Sequence, residues 1–579
     1  MTNPRIRYKP IDPQIEALAS KHGNHPEAVL EIFQELQEEF GGLSQEAISD
    51  VARCLKIPQE KAYGVASFYS MLSLEPVKTR IVHVCDGPVC WLKRAAQVKD
   101  QFTTEGRHSG WIVERTSCLG LCDRAPAAFV EGEQAGPLGP DDFSKVSNGW
   151  RGEKTDYSHA LPGEVRLMMV DAGHIDPDSL LSAIEHGAYT GLKKALSLSP
   201  EQVIVEVENS GLTGRGGAGF PVGRKWRFVA QAGRKPSYII CNADESEPLI
   251  FKDRVLIDTN PHQILEGMAI SGYATGSHEA YIYIRGEYPA QAERLERAIH
   301  QAEEAGYLGS NILESEFSFH IHVHRGAGAY ICGEETALIE SLEGKRGEPR
   351  ARPPYPPTFG YLGQPTLVNN VESYAAAPHI LKMGASWYRS VGSQVQGVTP
   401  GTKMYMVLGH VKRPGLFEAP FGLTLRQVID DFGGGMLPGS QFNFALTGGA
   451  AGTIVPPSLI DLPIDYPSAA KGVSLGAGAF LICDQTISPV AFLRELLHFF
   501  KVESCGKCTP CRIGTFESHQ ILERLAAGDG RPGDTDRLFH LGEVMQVASF
   551  CGLGQAVAIP VKSAINQFRD AFMAAEIPQ

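Results

Sequence analysis

The chain has 579 residues, 43% hydrophobic and 21% charged, with a formal net charge of −13. That length exceeds what one hydrophobic core organises and predicts about three to five domains of ordinary globular composition. The acidic balance excludes the clustered basic face that nucleic-acid binding requires.

The opening segment Met1–Lys9 lacks the apolar stretch of a signal peptide. Residues 1–78 read as helical. Pro26 stands at a first helical position, and Val29, Ile32, Phe33, Leu36 and Phe40 recur at helical spacing. Ser44 is the N-cap of a second helix with Ile48, Val51, Ala52 and Leu55 on one face. Gly41, Gly42 and Pro58 punctuate these elements. Residues 79–150 predict a small α/β domain: a strand over Ile81–Val84 ending at Cys85, a helical stretch, then strands at Trp111–Val113 and Ala127–Val130. Residues from about 131 to 165 have the Gly, Pro, Asp, Lys and Ser content of a linker, and 151–165 is taken as the connecting segment.

Residues 166–400 alternate strand and helix signals, as at Ser237–Ile240 and Ala280–Ile284, and predict an α/β domain with a largely parallel sheet. Residues 401–487 shift to short strands with frequent glycines, such as Met404–Leu408 and Phe480–Cys483, and residues 488–579 read as helical. No run reaches the ~20 apolar residues of a membrane span; the best candidate, Leu475–Leu493, is broken by Asp484. Twelve cysteines without an export signal predict reduced, ligating thiols and a cytoplasmic location.

Eight cysteines form two groups. Cys85, Cys90, Cys118 and Cys122 make two close pairs, which suits a [2Fe–2S] centre needing two thiolates per iron. A structural zinc site fits the same spacing equally well. Cys505, Cys508 and Cys511 share one tight loop, and Cys551 arrives from afar. Three local thiols and one distant one favour [4Fe–4S] over zinc. Cys54, Cys241, Cys332 and Cys483 fall outside both groups and read as buried apolar thiols.

Between the groups, Gly214, Arg215, Gly216, Gly217, Gly219 and Phe220 form a glycine-rich segment whose free amides favour a phosphate, with Lys225 nearby to supply charge. A dinucleotide fold would want a strand before it, and Val203–Val207 reads equally as strand or helix. Asn242, Asp244 and Glu247 follow a predicted strand, where α/β sheets gather ligands. Tyr330, Gly333, Glu334 and Glu335 end a second glycine-lined approach, although paired glutamates also mark ordinary helix starts. His322 and His324, at strand spacing, read as structural.

In this order the segments resemble a fusion of two subunits of the NADH-oxidising module of respiratory complex I. Residues about 10–150, including Phe68 and Tyr69, resemble its thioredoxin-like [2Fe–2S] subunit; residues about 165–579 resemble its flavin subunit. The resemblance implies an FMN- and NAD-binding domain at 166–400, a ubiquitin-like β-grasp domain at 401–487 and a [4Fe–4S] helical bundle at 488–579. It implies FMN at Gly214, Arg215, Gly216, Gly217, Lys225, Asn242, Asp244, Tyr330, Gly333, Glu334, Asn369 and Asn370. Glu247 and Glu335 fall where the nicotinamide end of NAD(H) is positioned, and Phe220 and Phe228 where its adenine is stacked. Both cysteine groups match cluster ligands, moving the first toward [2Fe–2S].

Where that family usually reads Gly-Glu-Pro-Gly-Thr-Phe, this chain has Ser246-Glu247-Pro248-Leu249-Ile250-Phe251. Lys-Pro-Pro-Phe is here Arg352-Pro353-Pro354-Tyr355, keeping charge and ring with a wider fork and an added hydroxyl. The fused module also resembles the β subunit of soluble NAD-dependent formate dehydrogenases and the diaphorase subunit of bidirectional nickel–iron hydrogenases. The intact first cysteine group and the segment Asp461–Asp465 favour the formate type. That implies a molybdenum- or tungsten-containing, iron–sulfur catalytic α subunit as partner, with neither nucleic-acid binding nor direct membrane insertion. A purely redox-sensing assembly subunit is the contrasting reading.

Overall fold

The structure, a computed structural model, describes residues 9–75, 80–392 and 398–576. The expected boundary between 78 and 79, and residues 1–8 of the opening segment, lie outside the described residues.

Helices Pro13–Lys21, Val29–Phe40, Gln45–Cys54 and Gln59–Ala66 form the N-terminal region. The Ser44 hydroxyl accepts the Ala47 N–H at 3.1 Å, supplying one of the partners that a helix start leaves missing. Val29, Ile32, Phe33, Leu36, Ile48, Val51, Ala52 and Leu55 are buried, whereas Phe40 stays exposed. This region is seated on the centre of the molecule: the Tyr69 hydroxyl reaches Ser341 Oγ and the Lys345 carbonyl, both at 2.7 Å.

Strands β1 (Arg80–Cys85), β2 (Trp111–Thr116), β3 (Ala128–Val130) and β4 (Glu133–Ala135) form a sheet in the order β2-β1-β3-β4. β1 and β2 are parallel; β3 is antiparallel to both of its neighbours. The linker reading of residues 131–150 is thereby corrected. Gly132, at φ +82°, turns the chain so that β4 pairs back on β3. Phe143 of the helix Phe143–Ser147 then packs on Phe102 and Trp111 at ring distances of 5.4 and 6.0 Å. Composition registers turn residues, not the strand they pair with. Residues 151–165 hold no helix or strand.

In the central module, β5 (Tyr238–Ala243), β6 (Glu279–Ile284), β7 (His320–Arg325) and β8 (Thr366–Asn370) form a parallel sheet in the order β7-β6-β5-β8. The chain steps outward from β5 to β7, then returns to the other side of β5. That reversal makes the carboxyl ends of β5 and β8 a topological switch point, where open α/β sheets bind ligands. His322 pairs with Glu279 and His324 with Glu31, each at 2.8 Å.

Val203–Val207 proves helical, within Pro200–Ser210, because Ser199 and Gln202 cap that helix reciprocally and Val203, Ile204 and Val207 share its buried face. No strand precedes the glycine segment within the central module's described residues.

Strands β9 (Thr402–Gly409), β10 (Gly415–Pro420), β11 (Phe442–Thr447), β12 (Thr453–Val455) and β13 (Ala479–Asp484) form a mixed sheet ordered β10-β9-β13-β11-β12, with only β9 and β13 parallel. Helices Pro489–Glu503, Thr509–Ala527, Asp534–Ala548, Gly552–Ala556 and Ala558–Met573 close the chain. Among the described residues no helix is long and apolar enough to cross a membrane; the Leu475–Leu493 stretch is divided between β13 and the helix at Pro489. One continuous core runs from the N-terminal helices through the central module into the C-terminal helices. Cys118 and Cys122 belong to it, whereas Cys85 and Cys90 belong to the separate core of the first sheet.

Candidate functional site

Parallel register places Asn242, near the end of β5, opposite Asn370, the last residue of β8. The Asn242 amide donates to the Gly333 carbonyl at 2.9 Å, and its oxygen accepts the Asp244 N–H at 3.1 Å. Asn370 accepts from Lys252 Nζ at 2.8 Å, donates to Asp253 at 2.6 Å and caps the helix Val371–Met383. Asn369, oriented to satisfy its surroundings, accepts from the Trp226 indole at 3.0 Å. Two strand ends thus fix three amides by covalent neighbourhood and ladder register.

The glycine segment is a turn closed by the Gly214 N–H donating to the Phe220 carbonyl at 2.8 Å. Gly217 and Gly219 have φ of +115° and +68°. A Cβ on Gly219 would lie 2.7 Å from the Tyr466 ring, so the close approach demands glycine. Tyr466, contributed by the segment between β12 and β13, donates to the Gly214 carbonyl at 2.8 Å.

Arg215 departs from its expected place. Its guanidinium turns inward and is fully buried, donating to Thr213 Oγ1 at 2.6 Å, the Tyr388 hydroxyl at 2.9 Å and the Thr402 carbonyl at 3.0 Å. It braces the turn from beneath, and its own N–H donates to Ser373 Oγ at 2.9 Å.

Buried charges that the sequence did not mark lie under this turn. Lys252 and Lys403 reach Glu372 at 3.1 and 3.0 Å, and Lys252 also reaches Asp253 at 2.6 Å, all fully buried or nearly so. Burial by itself would raise the Glu372 carboxyl, but Lys403, Lys252 and Arg215 outweigh it and hold the group below its usual range. No local signal marks such residues, because each looks like a surface charge until its partners arrive.

Above the turn, Asp244 accepts from the Ser246 hydroxyl at 3.0 Å through one oxygen. Its other oxygen is buried with no hydrogen-bond partner among the described residues. Burial pushes this carboxyl up to about 8. Glu334 caps the helix Glu335–Leu342 by accepting the Thr336 and Ala337 N–H groups, both at 3.0 Å, so the helix-start reading holds for it. Its second oxygen is likewise buried without a hydrogen-bond partner among the described residues, with Arg352 3.5 Å away. Two unsatisfied buried acceptors beside a glycine turn fit a ligand that carries hydroxyls and a phosphate.

Glu247 accepts from the Tyr330 hydroxyl and from the Ala451 N–H at 3.0 Å, and burial raises its carboxyl. Glu335 stands 3.4 Å from Lys225 and 3.5 Å from Arg352. Lys225 also donates to the Val368 carbonyl at 2.9 Å. Phe220 and Phe228 project from the surface at 41% and 44% exposure, their ring centres 6.4 Å apart.

The first cysteine group draws together at the carboxyl ends of β1 and β2. Cys118 and Cys122 sulfurs are 3.7 Å apart, and the Gly87 N–H points at the Cys85 sulfur at 3.4 Å. Thiol hydrogen bonds from Cys122 and Cys85, aided by Arg285, hold Cys118 well below the ordinary thiol range. The second group lines one hollow with Ile331, Pro349 and Phe550. Cys508 precedes the first turn of the helix Thr509–Ala527, and the Phe550 N–H approaches its sulfur at 3.5 Å. Among the described residues neither group closes around one point as a single-ion site would. Both cysteine groups adjoin the loop after β5: the Leu249 backbone faces Cys122, and Tyr330 meets Glu247 while its neighbour Ile331 lines the hollow of the second group.

Family models match the chain in four places: a thioredoxin-like [2Fe–2S] ferredoxin over 15–151, the Nuo51 FMN-binding domain over 207–379, an SLBB domain over 404–455, and the NADH-ubiquinone oxidoreductase-F iron–sulfur binding region over 491–575. An NADH-quinone oxidoreductase subunit of Rhizobium meliloti (strain 1021) is 44% identical over 416 residues, 71% of this chain and 97% of that protein. NADP-reducing hydrogenase subunit HndC of Solidesulfovibrio fructosivorans is 43% identical over 412 residues, 71% of this chain and 83% of that one. A solved NAD⁺-reducing [NiFe]-hydrogenase in the H₂-reduced state has a chain that superposes with a TM-score of 0.84 at 31% identity, over 96% of this chain and 94% of its own. The zinc alternatives give way to iron–sulfur centres, and the chain carries FMN, [2Fe–2S] and [4Fe–4S] domains with NADH as substrate. It belongs to the complex I-type family of flavin- and [4Fe–4S]-binding NADH-quinone oxidoreductase subunits, with a thioredoxin-like [2Fe–2S] module fused ahead of the flavin and [4Fe–4S] modules.

Proposed function

We propose that the chain is the diaphorase subunit of a multi-subunit formate dehydrogenase, exchanging electrons between NAD(H) and a molybdenum- or tungsten-containing α subunit. The carrying observation is an adjacency: one loop after β5 holds Glu247, meets Tyr330 beside the second cysteine hollow, and is tied through Arg285 to the first cysteine loop.

Bound FMN supplies hydride exchange with NAD(H) on one side and single-electron exchange on the other. The protein's work is placement. Gly214 closes the turn, and amides of Gly216, Gly217 and Gly219, with Lys225, hold the flavin phosphate; Asp244, Glu334, Asn242, Asn369 and Asn370 hold or brace its hydroxyls and ring. Glu247 and Glu335 orient the dinucleotide, since misplacement by ~1 Å can cost ~100-fold in rate. Phe220 and Phe228 offer faces for the adenine. Cys85, Cys90, Cys118 and Cys122 ligate [2Fe–2S], and Cys505, Cys508, Cys511 and Cys551 ligate [4Fe–4S].

Exposed Val502, Ile513, Phe516, Val547 and Phe550 stand on the elements around the second hollow. Apolar groups gathered there favour a partner subunit at that end. A formate-oxidising partner rests on the complete first cysteine group and on the segment Asp461–Asp465. The full-length likeness to a hydrogenase chain favours a second reading, the diaphorase of an NAD-reducing nickel–iron hydrogenase.

Anaerobic capture of the native complex through a tag on this chain decides between them. Formate-dependent NAD reduction is the expected result; hydrogen-dependent reduction instead establishes the second reading. Loss of NADH oxidation with every artificial acceptor would overturn both and restore the assembly role.

A further inference from the structure

Arg285 directly follows β6 and is 3% exposed. Its Nη2 donates to the Cys118 carbonyl at 2.7 Å, and its Nη1 to the Glu245 carbonyl at 2.8 Å. The Glu287 carboxylate accepts from Nη2 at 2.8 Å and from Nε at 3.2 Å. One guanidinium therefore ties a residue of the first cysteine loop to the loop that leads into Glu247.

Holding the loop in place does not require Arg285 alone. Arg254, from the same module, already donates to the Gly120 carbonyl at 3.3 Å and to Asp123 at 2.6 Å. What Arg285 adds is a full positive charge one peptide group from a thiol. It lies where water scarcely screens it, and Glu287 is its opposing charge.

We propose that Arg285 is a positioning residue that sets the reduction potential of the [2Fe–2S] centre from the flavin module, with Glu287 as its counterweight. The centre gains one electron from a one-electron donor and one negative charge with it, no proton being taken up. A buried cation stabilises the more negative form and raises the potential; a buried anion lowers it. The inference rests on the ligand set proposed above for the first cysteine group.

The test is an anaerobic dithionite titration of the whole chain, followed by EPR, for the unaltered protein, Arg285→Gln, Arg285→Lys and Glu287→Gln. Arg285→Gln should bind the electron about tenfold less tightly, a midpoint ~59 mV lower. Arg285→Lys should stay close to the unaltered value, and Glu287→Gln should shift upward. The [4Fe–4S] midpoint should not move in any of them. A retained [2Fe–2S] signal with unshifted midpoints in Arg285→Gln and Glu287→Gln overturns the proposal. Should Arg285→Gln fail to assemble its centre, an unshifted Glu287→Gln overturns it alone. Absence of any [2Fe–2S] signal in the unaltered chain would instead sink the ligand set.

Discussion

Glu335 sits between two cations, Lys225 and Arg352, at 3.4 and 3.5 Å, distances that leave the carboxylate held but not saturated. A dinucleotide hydroxyl can replace either contact at little cost. Glu335→Gln removes that charge without opening a cavity, so flavin and iron contents should stay near normal while the KM for NADH rises about tenfold, ~1.4 kcal/mol of lost binding. Steady-state NADH–ferricyanide kinetics beside flavin and iron analysis checks this; unchanged kinetics removes Glu335 from the site. Leu249 is the other residue of note. It is fully buried at φ +80°, a left-handed conformation costing a leucine ~1–2 kcal/mol, so the surrounding packing must hold it there.

The helix Thr509–Ala527 shows how one element organises a centre. Pro510 suits the first turn, and Cys508 stands just before it as the N-cap residue, with Cys511 buried inside. A serine hydroxyl is a harder, less acidic ligand than a thiol. Cys508→Ser should therefore abolish the [4Fe–4S] EPR signal while the [2Fe–2S] signal and flavin content remain. Electron delivery to a partner should fall at least tenfold, with direct NADH–ferricyanide turnover surviving. A normal [4Fe–4S] signal would refute the assignment.

At the scale of the whole molecule, the first cysteine module is fastened to the central one by charge. Arg254 and Asp123 pair at 2.6 Å, 7% and 1% exposed, with the Tyr157 hydroxyl on the other Asp123 oxygen at 3.1 Å. Breaking a buried pair leaves the remaining charge uncompensated, at a cost of about 3–5 kcal/mol. Asp123→Asn should give the first module an earlier, separate calorimetric transition and make residues 151–165 more sensitive to protease. A single unchanged transition would show that packing alone joins the modules.

Local chemistry was legible in the sequence. The close cysteine pairs and the Cys505–Cys511 loop, the glycine turn, the periodicity of Val29–Leu36 and the cap at Ser44 depend on residues within a few positions of one another, so short-range geometry dictates them. Tertiary structure alone decided which way Arg215 points, that one Glu334 oxygen is buried without a hydrogen-bond partner among the described residues, and that residues 133–135 complete a sheet. It alone buried Lys252, Lys403 and Glu372 together, forced Leu249 left-handed, and set Arg285 between two loops. The physical reason is common to all of these. Burial and pairing are made by partners far apart in the chain, such as Cys118 and Arg285, and a charge carries no local mark of the partner that will desolvate it.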